Sequence, residues 1–262
     1  MNDSILLERD QQIATVIFNR PRQRNAINFA MWERLWEIAL ELDDDPDVRV
    51  VIIRGAGDTA FSAGADIADF EVHRNNSVNA QKYAEVFEGA LDAIAALGKP
   101  TISLIRGYCF GGGLELATFT DIRIASDDAK FSIPTARLAV VAGFKEVRQL
   151  VGLIGQSAAM NLLLTARAID SHEAKRIGLI TDLVPTAEIV ARTYELANQL
   201  RDVAPLAARW HKQILQTVIS NPSLQGLTAE EQALQFACFD SEDFLEGRRA
   251  FLEKRKPTFE GK

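Results

Sequence analysis

The chain has 262 residues, 47% hydrophobic and 25% charged, a composition that supplies one sizeable core, with or without an appendage, and argues against disorder. A net charge of −7 without a long basic run argues against a nucleic-acid surface, so an anionic ligand would need a local basic patch. No stretch of about 18 apolar residues is present and the opening MNDSILLERD has no apolar export core, so the expectation is a cytoplasmic protein with no membrane contact.

In chain order, residues 5–9 and 13–18 are strand-like and joined across Asp10, Gln11 and Gln12, which predicts a hairpin. Asn19-Arg20-Pro21 stops it. A polar loop with Arg20, Arg22 and Arg24 follows, and Asn28 is placed to cap a helix over 29–43 with an apolar stripe of Trp32, Leu35, Trp36, Ala39, Leu40 and Leu42. Residues 48–54 read as a buried strand, followed by a small-residue loop, 61–67, in which Gly64 permits close backbone approach and a further N–H donor for a site. A second amphipathic helix over 76–97 ends at Gly98-Lys99-Pro100. Strands are expected at 101–105, 121–125, 130–134 and 179–184, with two helical runs in 144–165 and a helix opening at Ser171. From about residue 186 the pattern is helical only, with exposed-looking Phe236, Phe239 and Phe244. Alternating strands and helices predict an α/β layered core.

Cys109 and Cys238 are distant in sequence and read as core thiols; His73, His172 and His211 are isolated, so no metal site is expected. The chemistry is expected at Gly111-Gly112-Gly113, between an apolar strand and a helix-like segment. A strand-to-helix turn leaves the first N–H groups of the helix without partners, and those groups stabilise an oxygen that gains negative charge. The spacing matches neither a nucleotide P-loop nor the dinucleotide fingerprint. Glu115, two residues further on, is a carboxylate inside an apolar segment and hence a candidate acid or base.

Six motifs occur in one order: Asn19-Arg20-Pro21, Phe61-Ser62-Ala63-Gly64-Ala65-Asp66-Ile67, the stretch from Gly107 to Leu116, Asp121-Ile122-Arg123-Ile124-Ala125, Ala174-Lys175-Arg176-Ile177-Gly178-Leu179-Ile180, and Phe251-Leu252-Glu253-Lys254-Arg255-Lys256. Through them the chain resembles the crotonase, or enoyl-CoA hydratase/isomerase, family along nearly its whole length. The resemblance implies a spiral of ββα units over residues 1–195 carrying a CoA-thioester site. It also implies a helical region over 196–262 that covers the site and assembles trimers or hexamers. No cofactor is implied beyond the coenzyme A of the substrate.

By that resemblance the N–H groups of Ala65 and Gly112 form an oxyanion hole for the thioester carbonyl, and Ala63, Asp66, Ile67, Gly111 and Gly143 line the substrate site. Arg22, Arg24, Phe251 and Lys254 fall where the family holds the nucleotide end; Ala68 replaces a frequent lysine. Family hydratases use two glutamates. Glu115 matches the first, whereas the second position is Thr135, which cannot exchange a proton near neutral pH but can hydrogen-bond a water. Glu146 could substitute if its loop turns inward, although a charged first helical turn reads as solvated surface. The expected activity is hydration of a 2-enoyl-CoA. The alternatives are isomerisation, thioester hydrolysis, or acyl-CoA binding with little turnover. Acyl specificity is expected to lie in residues 69–82 and 136–148.

Overall fold

The computed structural model describes residues 4–262. β1 (Ile5–Asp10) and β2 (Ile13–Phe18) form the antiparallel hairpin, turning at Gln11 and Gln12 with φ of 45° and 71°. α1 (Phe29–Asp44), capped by Asn28 through a 3.0 Å bond from the Met31 amide, carries the chain to β3 (Val50–Gly55), parallel to β2. The chain then enters a second, smaller sheet at β4 (Ala60–Ser62) and continues through α2 (Phe70–His73) and α3 (Ser77–Ala96).

The same plan is repeated twice. β5 (Thr101–Ile105) lies in the large sheet, β6 (Tyr108–Phe110) in the small one, and α4 (Gly112–Thr118) follows; then come β7 (Ile122–Ser126), β8 (Lys130–Ser132) and α5 (Phe144–Thr165). β9 (Ile169–Asp170), α6 (Ser171–Arg176) and β10 (Asp182–Val184) complete the sheets, whose orders are β1-β2-β3-β5-β7-β10 and β4-β6-β8-β9. Each turn advances one strand in both sheets, so β2, β3, β5, β7 and β10 run parallel, as do β4, β6 and β8. This is the ββα spiral that the motifs imply.

Both faces of the large sheet are covered, which is why its strands read as continuous apolar runs rather than alternations. Val51 and Ile53 pack with Trp32 and Leu35 of α1 and Leu91 of α3, whereas Val50 and Ile52 pack with Ile102, Leu104 and Ile124 under Ile189 and Ala197 of α7 (Ile189–Arg201). Residue 195 lies within α7, a helix that belongs to this packing. α8 (Pro205–Ser220), α9 (Ala229–Ala233) and α10 (Glu242–Glu253) follow. α8 buries none of its residues and is tied to the spiral by polar contacts. Lys212 pairs with Asp121 at 2.9 Å, and Gln216 donates to the Ala95 carbonyl.

Several expectations change. β4, β6 and β9 are strands of two or three residues, too short to show a period of two, so the strand before the glycines is β6 and not β5. On α1, Trp36 and Leu40 are 37% and 57% exposed while Met31 and Ile38 point inward, and the Trp36 ring lies over Gly89 of α3. The two helical runs expected in 144–165 are present, meeting within α5 at a kink at Gly155, whose φ of 74° and ψ of 162° are not helical. Cys109 is a core thiol, but Cys238 is only half-buried in the C-terminal region. Among the described residues no helix is long and apolar enough to cross a membrane.

Candidate active site

Two backbone segments meet where β4 and β6 end. The 24–27 segment runs beside 63–66: Ala63 N donates to Arg24 O at 2.9 Å, Ile27 N to Gly64 O at 2.8 Å and Asp66 N to Ile27 O at 2.9 Å. Asn25, fully buried, holds this seam. Its amide donates to Ala56 O and Ala60 O, and its Oδ1 accepts from Arg20 N. In the parallel bridge between Ile27 and Ala65, the bonds use the neighbours of Ala65, so the Ala65 N–H points away from Ile27. It points toward α4. A Cβ at residue 112 would stand 3.6 Å from Ala65 N, and one at residue 64 would stand 3.3 Å from Gly112 N and 2.8 Å from Phe110 O. Only glycine fits at 64, where φ is +99°. Gly112 N is in the first turn of α4, where an amide has no carbonyl of its own helix to reach. Among the described residues neither amide donates to a carbonyl.

Ala65 and Gly112 line a cavity of about 210 Å³. Its polar lining is Arg74, Glu88, Glu115, Thr135 and Glu146, set among Ile67, Phe70, Tyr83, Phe87, Leu138 and Val140. Glu115 is 7% exposed, and no side-chain hydrogen bond reaches its carboxylate among the described residues. Burial pushes its pKa up to about 7, the Glu146 charge adds to the rise, and Arg74 partly offsets it. The Arg74 guanidinium lies over the Phe70 and Tyr83 rings, 4.5 Å and 4.9 Å from their centroids. Tyr83 accepts from Trp32 Nε1 at 2.8 Å, and burial foremost raises its phenol to about 12, so it remains neutral.

Of the residues singled out in the sequence, Ala63, Ala65, Ile67, Gly111, Gly112, Glu115, Thr135 and Gly143 all line this cavity. Asp66 does not. It pairs with Arg20 at 2.7 Å and accepts from Ala68 N. Arg22 and Arg24 are exposed and do not line the cavity; Arg24 lies beside the 63–66 wall through the Ala63 amide, with its guanidinium 5.1 Å from the Tyr108 ring centroid. Phe251 and Lys254, at the end of α10, are exposed and do not line it. Glu146, expected at the surface, is 3% exposed. Arg74, Tyr83 and Phe87 were missed: Tyr83 and Phe87 read as packing residues of α3, and nothing in the sequence around Arg74 marks it. Among the described residues no cluster of His, Cys, Asp and Glu is arranged to hold a metal ion.

A family model described as enoyl-CoA hydratase/isomerase matches residues 8–262. The chain belongs to that family. The solved structure of an enoyl-CoA hydratase/carnithine racemase from Magnetospirillum magneticum is 37% identical, with a TM-score of 0.96 over 100% of this chain and 97% of that one. The short-chain-enoyl-CoA hydratase of Clostridium acetobutylicum is 34% identical over 254 residues, 97% of this chain and 96% of its own. The carnitinyl-CoA dehydratase of Escherichia coli O157:H7 is 34% identical over 265 residues, covering 100% of both chains. The crotonase fold implied by the motifs is thus the fold observed.

In this crotonase-family chain the raised Glu115 pKa has a consequence for stability. The folded state holds the Glu115 proton up to about pH 7, the unfolded chain only to the ordinary glutamate value of 4.5, so folded protein binds more protons between these values. Stability from this group is present below pH 4.5 and falls by roughly 3 kcal/mol as pH rises through the window. Glu115→Gln removes the effect. Urea unfolding at a series of pH values should show the variant gaining on the wild type from about pH 4.5 to about pH 7; parallel curves would refute the burial argument.

Proposed function

We propose that this protein binds acyl-CoA thioesters and adds water across the double bond of a 2-enoyl-CoA, with Glu115 transferring protons. One observation carries the reading. A buried carboxylate without a partner lines one cavity with Ala65 and Gly112, whose backbone N–H groups donate to no carbonyl among the described residues. The thioester carbonyl oxygen would sit between Ala65 N–H and Gly112 N–H, drawing electrons from the β-carbon so that water can attack it. The resulting enolate is held by the same two donors until a proton reaches the α-carbon. Thr135 lines the cavity and supplies a hydroxyl to a water but no titrating group. Arg22 and Arg24 provide the local cations that an acidic chain needs for a polyphosphate.

A second reading, acyl-CoA binding with little turnover, is favoured by Thr135 standing where family hydratases carry a carboxylate. The two are separated by incubation with crotonyl-CoA, following the conjugated thioester absorbance and product mass. Hydration predicts a gain of one water, and Glu115→Gln should lower kcat by about 10²–10⁴ while KM changes little. Binding by the wild type without product would favour the second reading, and unchanged rates in Glu115→Gln would remove that residue as proton carrier.

We also propose that residues 196–262 assemble copies of the chain into a trimer or hexamer. Leu215 and Ile219 on α8 are 60% and 65% exposed, and Phe251 and Leu252 on α10 are 84% and 74% exposed, an apolar surface of the kind subunits bury. A neighbouring copy would then be the route by which Phe251 and Lys254 reach a nucleotide. Light scattering should give a multiple of 28.9 kDa; a mass of one chain would contradict the assembly.

A further inference from the structure

We propose that Glu146 is the second proton-transfer group of this cavity, supplied by the first turn of α5 in place of the carboxylate absent at Thr135. The reaction assigned to it rests on the hydratase reading above; its geometry does not.

Glu146 is 3% exposed, and neither carboxylate oxygen has a hydrogen-bond partner among the described residues. Glu115, Thr135 and Glu146 line one cavity. Glu146 Oε2 also occupies the space a side chain would need at residue 143, so Gly143 is what lets the carboxylate fold inward over the start of its own helix. A glutamate at the third position of a helix commonly reaches back to the capping residue's amide. Here Gly143 is the cap and no such bond forms. The adjacent ammonium is engaged elsewhere: Lys145 points to α3 and pairs with Glu88 at 3.1 Å and Asp92 at 2.6 Å. A structural carboxylate would be bonded or left in solvent, because a buried unpaired one is costly. This one lines a cavity and has neither a bond nor solvent.

The electrical surroundings agree. Burial foremost raises the Glu146 pKa, and Glu88 and Asp92 on α3 raise it further; its own backbone amide, close to the carboxylate but outside hydrogen-bond geometry, lowers it, as does Lys145. Across the cavity its charge raises Glu115 on α4, which Arg74 opposes. Two interacting carboxyl groups titrate as a pair, the charge of one opposing ionisation of the other. With one proton on the pair, the site presents one acid and one base at once. In hydration, the ionised member takes a proton from water as the water oxygen bonds to the β-carbon, and the π electrons move into the enolate. The protonated member gives its proton to the α-carbon. One carboxyl gains a proton and the other loses one, so the pair again carries a single proton.

The test compares wild type, Glu115→Gln and Glu146→Gln in crotonyl-CoA hydration from about pH 5 to about pH 9. An infrared titration of the buried carboxyl stretch runs alongside. Glu146→Gln should lower kcat by about 10²–10⁴ with KM within about threefold, and should remove one limb of a bell-shaped pH profile. Independently of turnover, removing either carboxyl should move the titration of the other to lower pH. A kcat within about twofold of wild type in Glu146→Gln overturns the proposal. A Glu115 titration that Glu146→Gln leaves unmoved overturns it too, and that readout stands even if turnover is too slow to measure. If the wild type itself does not hydrate crotonyl-CoA while the coupling is present, the hydratase reading falls for that substrate. The pair then serves proton transfer on another acyl-CoA.

Discussion

Everything at the site depends on two stretches of backbone lying against each other without side chains between them. The 63–66 segment and the first turn of α4 come from successive turns of the spiral, and Gly64 and Gly112 let them approach until a Cβ at one would touch the amide of the other. Each amide is left unpaired for a separate reason. Ala65 N–H is turned away by the bridge to Ile27, and Gly112 N–H heads a helix that cannot satisfy it. Rigid elements therefore hold the donors in place before any ligand arrives, which is the condition under which such donors stabilise a developing charge. Asn25 and the 24–27 segment fix one side of this contact, and the small sheet fixes the other.

Around those donors the cavity concentrates charge that the rest of the core avoids. Glu115 and Glu146 enter it from different helices, with one guanidinium, Arg74, held by stacking on Phe70 and Tyr83. Two like charges in a low-dielectric space cannot both be carried cheaply, and burial together with the Glu146 charge pushes the Glu115 pKa up to about 7. The apolar remainder of the wall, from Ile67 to Val140, leaves room for an acyl chain.

Much of this was legible in the sequence. The Asn28 cap, the β1–β2 hairpin and the buried runs of β3, β5 and β7 follow from local chemistry, and the glycine triplet with Glu115 pointed to the site directly. The motifs then pointed to Ala65 and Thr135, both of which line the cavity. What stayed hidden was tertiary. β4, β6 and β9 are too short for a hydrophobic period, and their pairing comes only from the spiral. Trp36 and Leu40 fit the α1 periodicity but lie beyond the stripe that the sheet covers. Tyr83 sits on a helix whose sequence says only that it packs, and Arg74 lies in the short link between α2 and α3, where nothing local marks it. Glu146 looked like a solvated charge in a helical first turn because nothing local tells that Lys145 turns to α3 while Glu146 turns inward over Gly143.

The central claim is that a thioester carbonyl is held by Ala65 N–H and Gly112 N–H beside Glu115. A crystal structure with butyryl-CoA, which is saturated and cannot be hydrated, tests it most directly. The account predicts the carbonyl oxygen within about 3.1 Å of both nitrogens, with the acyl chain in the cavity that Glu115 lines. A well-ordered acyl group whose carbonyl oxygen contacts neither nitrogen would contradict it.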